Sequence, residues 1–350
     1  MRNSRSQGFA EATGLLRRGD VRSVVRVPPR IRRWLTGPTA DPSVRWRFLR
    51  EVEGRAPDEP AVVAARRRIG RTGWAAGILA HQFPDGRWAT PGSSDNEIYR
   101  PKYVSTYWRF LLLAELGMSR KDPRVRRTVE LIMRRWTEKG TDLLGGPESE
   151  ICSVGNCARA FLRYGYLGHP VVQRCIDWVV RDQKPDGGWY CFPGRKSGSL
   201  DGWEGLAALS EIPETSRSEP VRKAIERGAE FLLRHRLMLE GRRPYRPWYR
   251  IHFPTFYYYD ILVGLQLIAR LGYGADPRAR AALRWMIRKR RPDGTWAIDA
   301  DHPDVDASQL PYTLDEWPYW PLRLETPGEP SRWATLDALS VQAAVSRGGA

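Results

Sequence analysis

The chain is poor in cysteine: 350 residues carry four, alongside only five histidines and five methionines. Four cysteines in a chain this long exclude a disulfide-stapled scaffold, so Cys152, Cys157, Cys175 and Cys191 are expected to be free thiols. Long apolar runs are missing too, and no stretch approaches the roughly 20 apolar residues that a membrane-spanning helix needs. Met1 to Asp20 lacks the continuous apolar core of a secretory leader, so a cytoplasmic protein is the expectation. There is no glycine-rich phosphate cradle and no zinc-finger spacing. Acidic residues are in deficit, 40 against 57 Lys and Arg, which leaves a formal charge of +17. Such a balance suits anionic ligands or surfaces. The densest basic run is Arg17, Arg18, Arg22, Arg26, Arg30, Arg32 and Arg33. It contains Pro28-Pro29 and no helical stripe. Residues 1–40 therefore read as a partly disordered basic extension, a weak tether to an anionic membrane surface that would make the protein peripheral. Nucleic acid is not favoured as a partner.

Tryptophan, by contrast, is abundant, with 15 residues, and three of them close one repeated phrase. It reads Phe83-Pro84-Asp85-Gly86-Arg87-Trp88, Lys184-Pro185-Asp186-Gly187-Gly188-Trp189 and Arg291-Pro292-Asp293-Gly294-Thr295-Trp296. Proline stops a helix, Asp-Gly makes a tight turn, and Trp pins that turn to the helix it leaves. A second recurring signal is a polar residue before proline: Glu59-Pro60, Asp122-Pro123, His169-Pro170, Glu219-Pro220 and Asp276-Pro277. Each marks a helix start followed by apolar residues at helical spacing with a basic opposite face.

Between these signals lie segments that are apolar nearly all round, which buries a helix on most sides. Buried helices are expected near 41–53, 103–117, 151–167, 200–210, 256–272 and 332–346. Half-exposed partners are expected near 59–83, 122–137, 169–183, 218–236 and 276–290. The unit is a helical hairpin closed by an Asp-Gly-x-Trp turn, repeated five to six times. The last buried helix has no partner after it, and a set that starts and ends unpaired closes on itself. The expected architecture is all-α: residues 41–350 form an α/α toroid with parallel inner helices.

Gln82 and Gln183 stand three places before the turn aspartate in two copies, with Arg290 in the third. These turns resemble the Gln–Trp repeats of the squalene–hopene cyclase and protein prenyltransferase superfamily, over roughly residues 59–346. The resemblance implies an α/α barrel with a central apolar cavity and isoprenoid chemistry. Its acid motif, Asp-x-Asp-Asp, has its nearest counterpart in Asp304-Val305-Asp306-Ala307, which lacks the last aspartate. Its zinc set, an Asp and a Cys two apart with a later His, corresponds to Asp201-Gly202-Trp203 and His252, with Trp in place of Cys.

Parallel inner helices bring their N-termini to one rim, where polar residues are the site candidates. Asp201 and Asp260 are candidate proton donors, because a carboxyl in an apolar helix must be paired or held protonated. Asp260 is expected to pair with Arg246 or Arg250. Asp304 and Asp306 join them as catalytic candidates. Trp203, Tyr257 and Tyr258 are candidate cation-stabilising walls, Asn156 and Glu204 candidate ligand contacts, and Arg246 and Arg250 a candidate anion clamp. Cys152, Cys157 and His252 are candidate zinc ligands, though no cofactor is the leading expectation. Three functions follow: an apolar isoprenoid-type ligand in a central cavity with acid-initiated cyclisation; a non-catalytic toroid holding a lipid, peptide or protein; or a zinc-dependent prenyltransferase-like enzyme.

Overall fold

The computed structural model describes residues 27–88, 98–99, 103, 105–138, 143–146, 149–191, 194–239, 244–300 and 324–348. Thirteen α-helices and one two-stranded ribbon occur among them. The inner helices are α2 (Pro42–Arg47, running into a π-helical turn at Phe48–Val52), α5 (Thr106–Glu115), α7 (Ile151–Tyr164), α9 (Glu204–Ser210), α11 (Ile261–Arg270) and α13 (Arg332–Gly348). Around them lie α1 (Pro29–Thr36), α3 (Pro60–Arg68), α4 (Gly73–Ala80), α6 (Pro123–Thr137), α8 (Pro170–Asp182), α10 (Glu219–Arg234) and α12 (Arg280–Arg288). The inner helices touch in chain order from α5 through α13, and α13 packs on the turn that ends α2. Gly117, just past α5, closes the circle: a Cβ there would lie 2.6 Å from the Trp46 ring of α2. The chain is thus an α/α toroid of six hairpins, as expected.

The proline-led starts form as read. Asp122 Oδ1 accepts from Arg124 N at 2.9 Å and Asp276 Oδ1 from Arg278 N at 2.8 Å, capping donors that helix geometry leaves open. Two expected helices differ. The partner over 59–83 is broken into α3 and α4, because Gly70 and Gly73 take φ of +79° and +75°. The inner helix expected from 256 starts only at Ile261, because Asp260 caps it and Phe256 sits at φ +45°.

The three Asp-Gly turns are superimposable in their bonding. Each Trp donates its indole N–H to a carbonyl ten residues back, at 2.8 Å: Trp88 to Ile78, Trp189 to Val179, Trp296 to Met286. The acceptors belong to the last turns of α4, α8 and α12: Ile78 O and Met286 O also take a backbone N–H, from His81 and Lys289, whereas Val179 O is left to the indole. Gln82 Nε2 and Gln183 Nε2 reach both the turn glycine carbonyl and the next outer helix, and Arg290 Nε takes the same turn carbonyl in the third copy. Gly187 has φ +94° and a would-be Cβ 2.5 Å from Arg227 O, which excludes any side chain. Backbone–side-chain bonds from Trp88 N to Thr106 and Trp296 N to Thr335 then fix the first and third turns to the next inner helix.

The ring is closed by a helix that falls inside the stretch read as a basic extension. After the first two turns an arginine of the next outer helix holds the turn carbonyls: Arg127 on Pro84 O, Arg227 on Lys184 O. After the third turn Arg30 of α1 binds Asp293 O, so α1 is the outer helix of the sixth hairpin. Ile31 and Leu35 are buried, and Arg32 pairs with Glu53 at 2.7 Å. The toroid therefore includes Pro29–Thr36, ahead of the expected start at residue 41. Arg17, Arg18, Arg22 and Arg26 lie outside the described residues. No helix among those described is long and apolar enough to cross a membrane.

The tie predicts a graded response at Trp189, which Gly205 lets nestle against α9. Trp189→Phe keeps the ring plane but strands the Val179 carbonyl, and should cost about 1–2 kcal/mol. Trp189→Ala should cost about 3–5 kcal/mol. Urea unfolding measures both, and a Phe variant as stable as the parent would remove the indole bond from the account.

Candidate functional site

Helix α7 carries a polar stripe on an otherwise apolar body. Cys152, Asn156, Arg159 and Arg163 are spaced by four, three and four, which places them on one face. That face meets α9, whose Trp203 (its N-terminal flank), Ala207 and Glu211 (its C-terminal flank) repeat every four residues. The approach is close, because Gly155 leaves no Cβ: one there would lie 2.8 Å from Glu204 Cβ. Three buried polar groups in this seam lack hydrogen-bond partners among the described residues. They are Asn156 Oδ1 and both carboxyl oxygens of Glu204. Asn156 Nδ2 is satisfied by Cys152 O at 2.9 Å. Glu204 is fully buried, and that burial lifts its pKa well above the usual carboxylate range, which favours the protonated carboxyl.

Below the seam the ring encloses a lumen of about 360 Å³. Its walls include Trp46, Trp203, Val263 and Leu267, and also five arginines and three glutamates, an excess of two positive charges. The expectation of a greasy hollow is corrected: the centre is lined by charge. Most of it is paired. Arg47 grips Glu51 through two bonds of 2.7 Å and lies 2.9 Å from Asp337. Arg163 and Arg270 share Glu211; burial opposes its ionisation, yet the two cations hold its pKa at about 2. Glu115 accepts from Thr255 Oγ1 at 3.0 Å. The lumen continues, past Trp46, Arg47, Glu211 and Arg270, into a vestibule of about 760 Å³ at the C-terminal ends of the inner helices. Access is from the rim opposite the expected one.

The N-terminal side is occupied by aromatics. Tyr103 and Trp108 of the α5 region meet Phe256, Tyr257 and Tyr258 from across the ring. Tyr103 Oη lies 2.7 Å from Tyr257 Oη and 2.5 Å from Tyr258 Oη. Because residues 256–260 are not helical, Tyr257 and Tyr258 both point at one partner, which helical spacing would forbid. A separate rim cleft of about 250 Å³ is lined by Tyr190, Cys191, Asp201, Trp248 and Tyr257, among others.

The remaining expected site residues fall as follows. Asp260 is buried and fully engaged: it caps α11 through Val263 N at 2.8 Å and lies 2.8 Å from His252 Nδ1. Its partner is His252, and neither Arg246 nor Arg250 reaches it; both arginines are exposed on the turn outside the lumen. Asp201 is exposed and accepts from Trp248 Nε1 at 2.7 Å. Asp304 and Asp306 lie outside the described residues. Cys152 neighbours Cys191 and Glu150, Cys157 is buried beside Cys175, and His252 is taken by Asp260, so Cys152, Cys157 and His252 are not gathered at one point. Among the described residues no three His, Cys, Asp or Glu side chains are arranged to hold a metal ion. Reading by helix starts missed Arg66, Arg159 and Arg163; for the last two the signal was the four–three–four spacing from Cys152.

No protein-family profile and no curated protein matches the chain. Solved structures do. A protein from Actinoplanes is 18% identical, with a TM-score of 0.38 over 90% of this chain and 91% of that one. A glycosyl hydrolase of family 88 from Bacteroides vulgatus is 14% identical, with a TM-score of 0.47 over 91% and 97%. The type II terpene cyclase MstE from Scytonema is 13% identical, with a TM-score of 0.28 over 79% and 96%. One of its variants was solved with geranylgeranyl dihydroxybenzoate as substrate.

Asp337, which backs the lumen residue Arg47, has a pH signature. Burial pushes Asp337 up to about 6 against the pull of Arg47, whereas an unfolded aspartate titrates near ~3.9. The folded state therefore holds this proton longer than the unfolded one. The contribution of Asp337 is most favourable below pH ~4, falls as pH rises to about 6, and is flat above that. The stability difference between the parent and Asp337→Asn should shift by about 3 kcal/mol across that window. Urea melts at pH 4, 5, 6 and 7 measure it, and a pH-independent difference refutes the assignment.

Proposed function

We propose that this chain is a small-molecule-binding toroid whose lumen takes an isoprenoid-type ligand through the C-terminal vestibule. The observation that carries the reading is the continuity of lumen and vestibule, walled by the Trp46 and Trp203 rings and by Val263 and Leu267. Concave, partly apolar hollows with a few placed polar groups are where small ligands bind. Among the described residues aromatics occupy the N-terminal rim, and the vestibule is the opening that the lumen joins. Two lumen tryptophans give a direct readout. Farnesol or farnesoic acid should quench their fluorescence saturably, and Ala207→Trp, which fills the lumen from α9, should abolish the effect while leaving the unfolding midpoint within a few degrees. Quenching that persists in this variant would place the ligand elsewhere, and a protein that co-purifies in its stead would favour the non-catalytic partner-binding alternative.

A second reading, in which the chain is an enzyme, has its own support in Glu204. A carboxyl kept neutral without a partner is a proton donor in reserve. Acid-initiated cyclisation adds its proton to one end of an alkene. The electron pair of a second alkene then closes a carbon–carbon bond, and loss of a neighbouring proton restores neutrality. The face of Trp203, beside Glu204, suits the cationic stage. Glu204→Gln is nearly isosteric and neutral, so it should fold with parental stability, within about 1 kcal/mol, and lose at least a hundredfold in conversion of linear polyprenes. Equal turnover in parent and variant would remove Glu204 from the chemistry.

A further inference from the structure

Of the five arginines around the lumen, three are neutralised by glutamates and two are not. Arg159, on the α7 stripe, is 5% exposed, and its guanidinium has no hydrogen-bond acceptor among the described residues. It lies over the Trp203 ring, 4.7 Å from the centroid. Arg66, at the end of α3, lies over the Trp46 ring at 4.2 Å, and its Nη1 is buried without a partner. Burial, assisted for Arg159 by the neighbouring Arg163, pushes both guanidinium pKa values down to about 10. Both nevertheless remain charged at pH 7. Stacking on an indole face recovers only part of what a buried cation loses on leaving water. These two groups thus account for the lumen's excess of positive charge.

Glutamates are available nearby and are committed elsewhere. Glu51 is held by Arg47, Glu211 by Arg163 and Arg270, and Glu115 by Thr255. Both carboxyl oxygens of Glu204 are without a partner, so it pairs with neither arginine. Among the described residues no carboxylate pairs with Arg66 or Arg159. A planar guanidinium presents paired donors that match a carboxylate or a phosphate, and the same two tryptophan faces lie against whatever the anion is attached to. The vestibule adds Arg50, Arg217 and Arg347, a basic approach that raises the local concentration of anions.

We infer that Arg66 and Arg159 form an anion subsite in the lumen, and that the ligand of this protein is an amphipathic organic acid: a carboxylate or phosphate head on the two arginines and an apolar body on Trp46, Trp203, Val263 and Leu267. The inference rests on the lumen being the ligand site and adds the class of ligand to it. Neither Arg246 nor Arg250, which the sequence offers as an anion clamp, takes part.

The test uses the full chain and three probes of one skeleton: farnesyl monophosphate, farnesoic acid and farnesol. Isothermal titration should show at least one of the two acids binding ten times or more tightly than farnesol; which acid binds better identifies the head group. Arg159→Met and Arg66→Met should each lose at least tenfold in affinity for that acid and leave farnesol unchanged. Thermal unfolding without ligand provides a readout that a structural role would move in the opposite sense. Both variants should melt at or above the parental temperature, because an unpaired buried charge has been removed, whereas Arg163→Met, which strands Glu211, should melt several degrees lower. The inference is overturned if farnesol binds as tightly as both acids, if the two variants bind the acid as the parent does, or if they melt as low as Arg163→Met. Binding of farnesol alone would leave the lumen reading standing without the anion subsite. Absence of binding by all three probes would overturn both.

Discussion

One hydrogen bond, made three times, sets the geometry of the molecule: the indole N–H of a turn tryptophan on the carbonyl ten residues before it. The last turn of a helix leaves carbonyls without intrahelical donors, and a buried carbonyl left unpaired costs roughly 1–3 kcal/mol. Trp is the side chain that both satisfies such an acceptor and brings a large apolar surface to bury. The bond therefore does two things in one step. It ends an outer helix, and it delivers the chain to the start of the next inner helix at a fixed angle. The glutamine before the turn extends the constraint sideways: Gln82 and Gln183 each bridge a turn carbonyl to the following outer helix. Repetition of one angle around a circle closes it, and α1 fills the last outer place with Arg30 on the third turn.

Closure has an electrostatic consequence. Six inner helices facing one axis bring charges from distant parts of the sequence within reach of one another, in a place where solvent screens them little. Arg47 and Asp337 are 290 positions apart in sequence and 2.9 Å apart in the lumen. Glu211 takes two arginines from the helices on either side of it. These pairs hold neighbouring inner helices at a set spacing, which keeps the hollow open where an apolar lining would collapse into contact. The lumen is thus held open by paired charges and walled by tryptophan.

The toroid was legible in the sequence because its determinants are local. A proline start, an Asp-Gly turn and a following tryptophan each lie within a few residues, and their recurrence states the architecture before any contact is known. Glu204 and Asn156 were also legible, as polar residues at inner-helix starts, and both are buried without full hydrogen bonding. What failed was the inference from helix start to rim chemistry. Asp260 stands out in the sequence as a carboxylate at the start of an apolar helix, yet its partner comes from the loop that bends back to place His252 beside it, and no spacing encodes that bend. Arg66 lay still further from view. It lies at the end of an outer helix, just before the break at Gly70 and Gly73, and still lines the lumen. Arg159 was different, since its place four and then three along from Cys152 is readable as a stripe.

The contrast between Arg163 and Arg159 shows how a protein marks a site in its own interior. They are four residues apart on one face of α7, so packing treats them alike, and both line the same hollow. Arg163 has Glu211 at 2.8 Å, while Arg159 has only the face of Trp203. A buried guanidinium without an anion is a standing cost that any apolar side chain of similar length would remove. The ring would close without it, since none of the turn bonds, the Gln bridges or the paired charges involves Arg159. A cost that the fold does not require is one that structure alone does not explain, and the same holds for Arg66 on the Trp46 ring. Two such groups, each backed by a tryptophan and both lining one lumen, describe the shape and sign of something that the described residues do not supply.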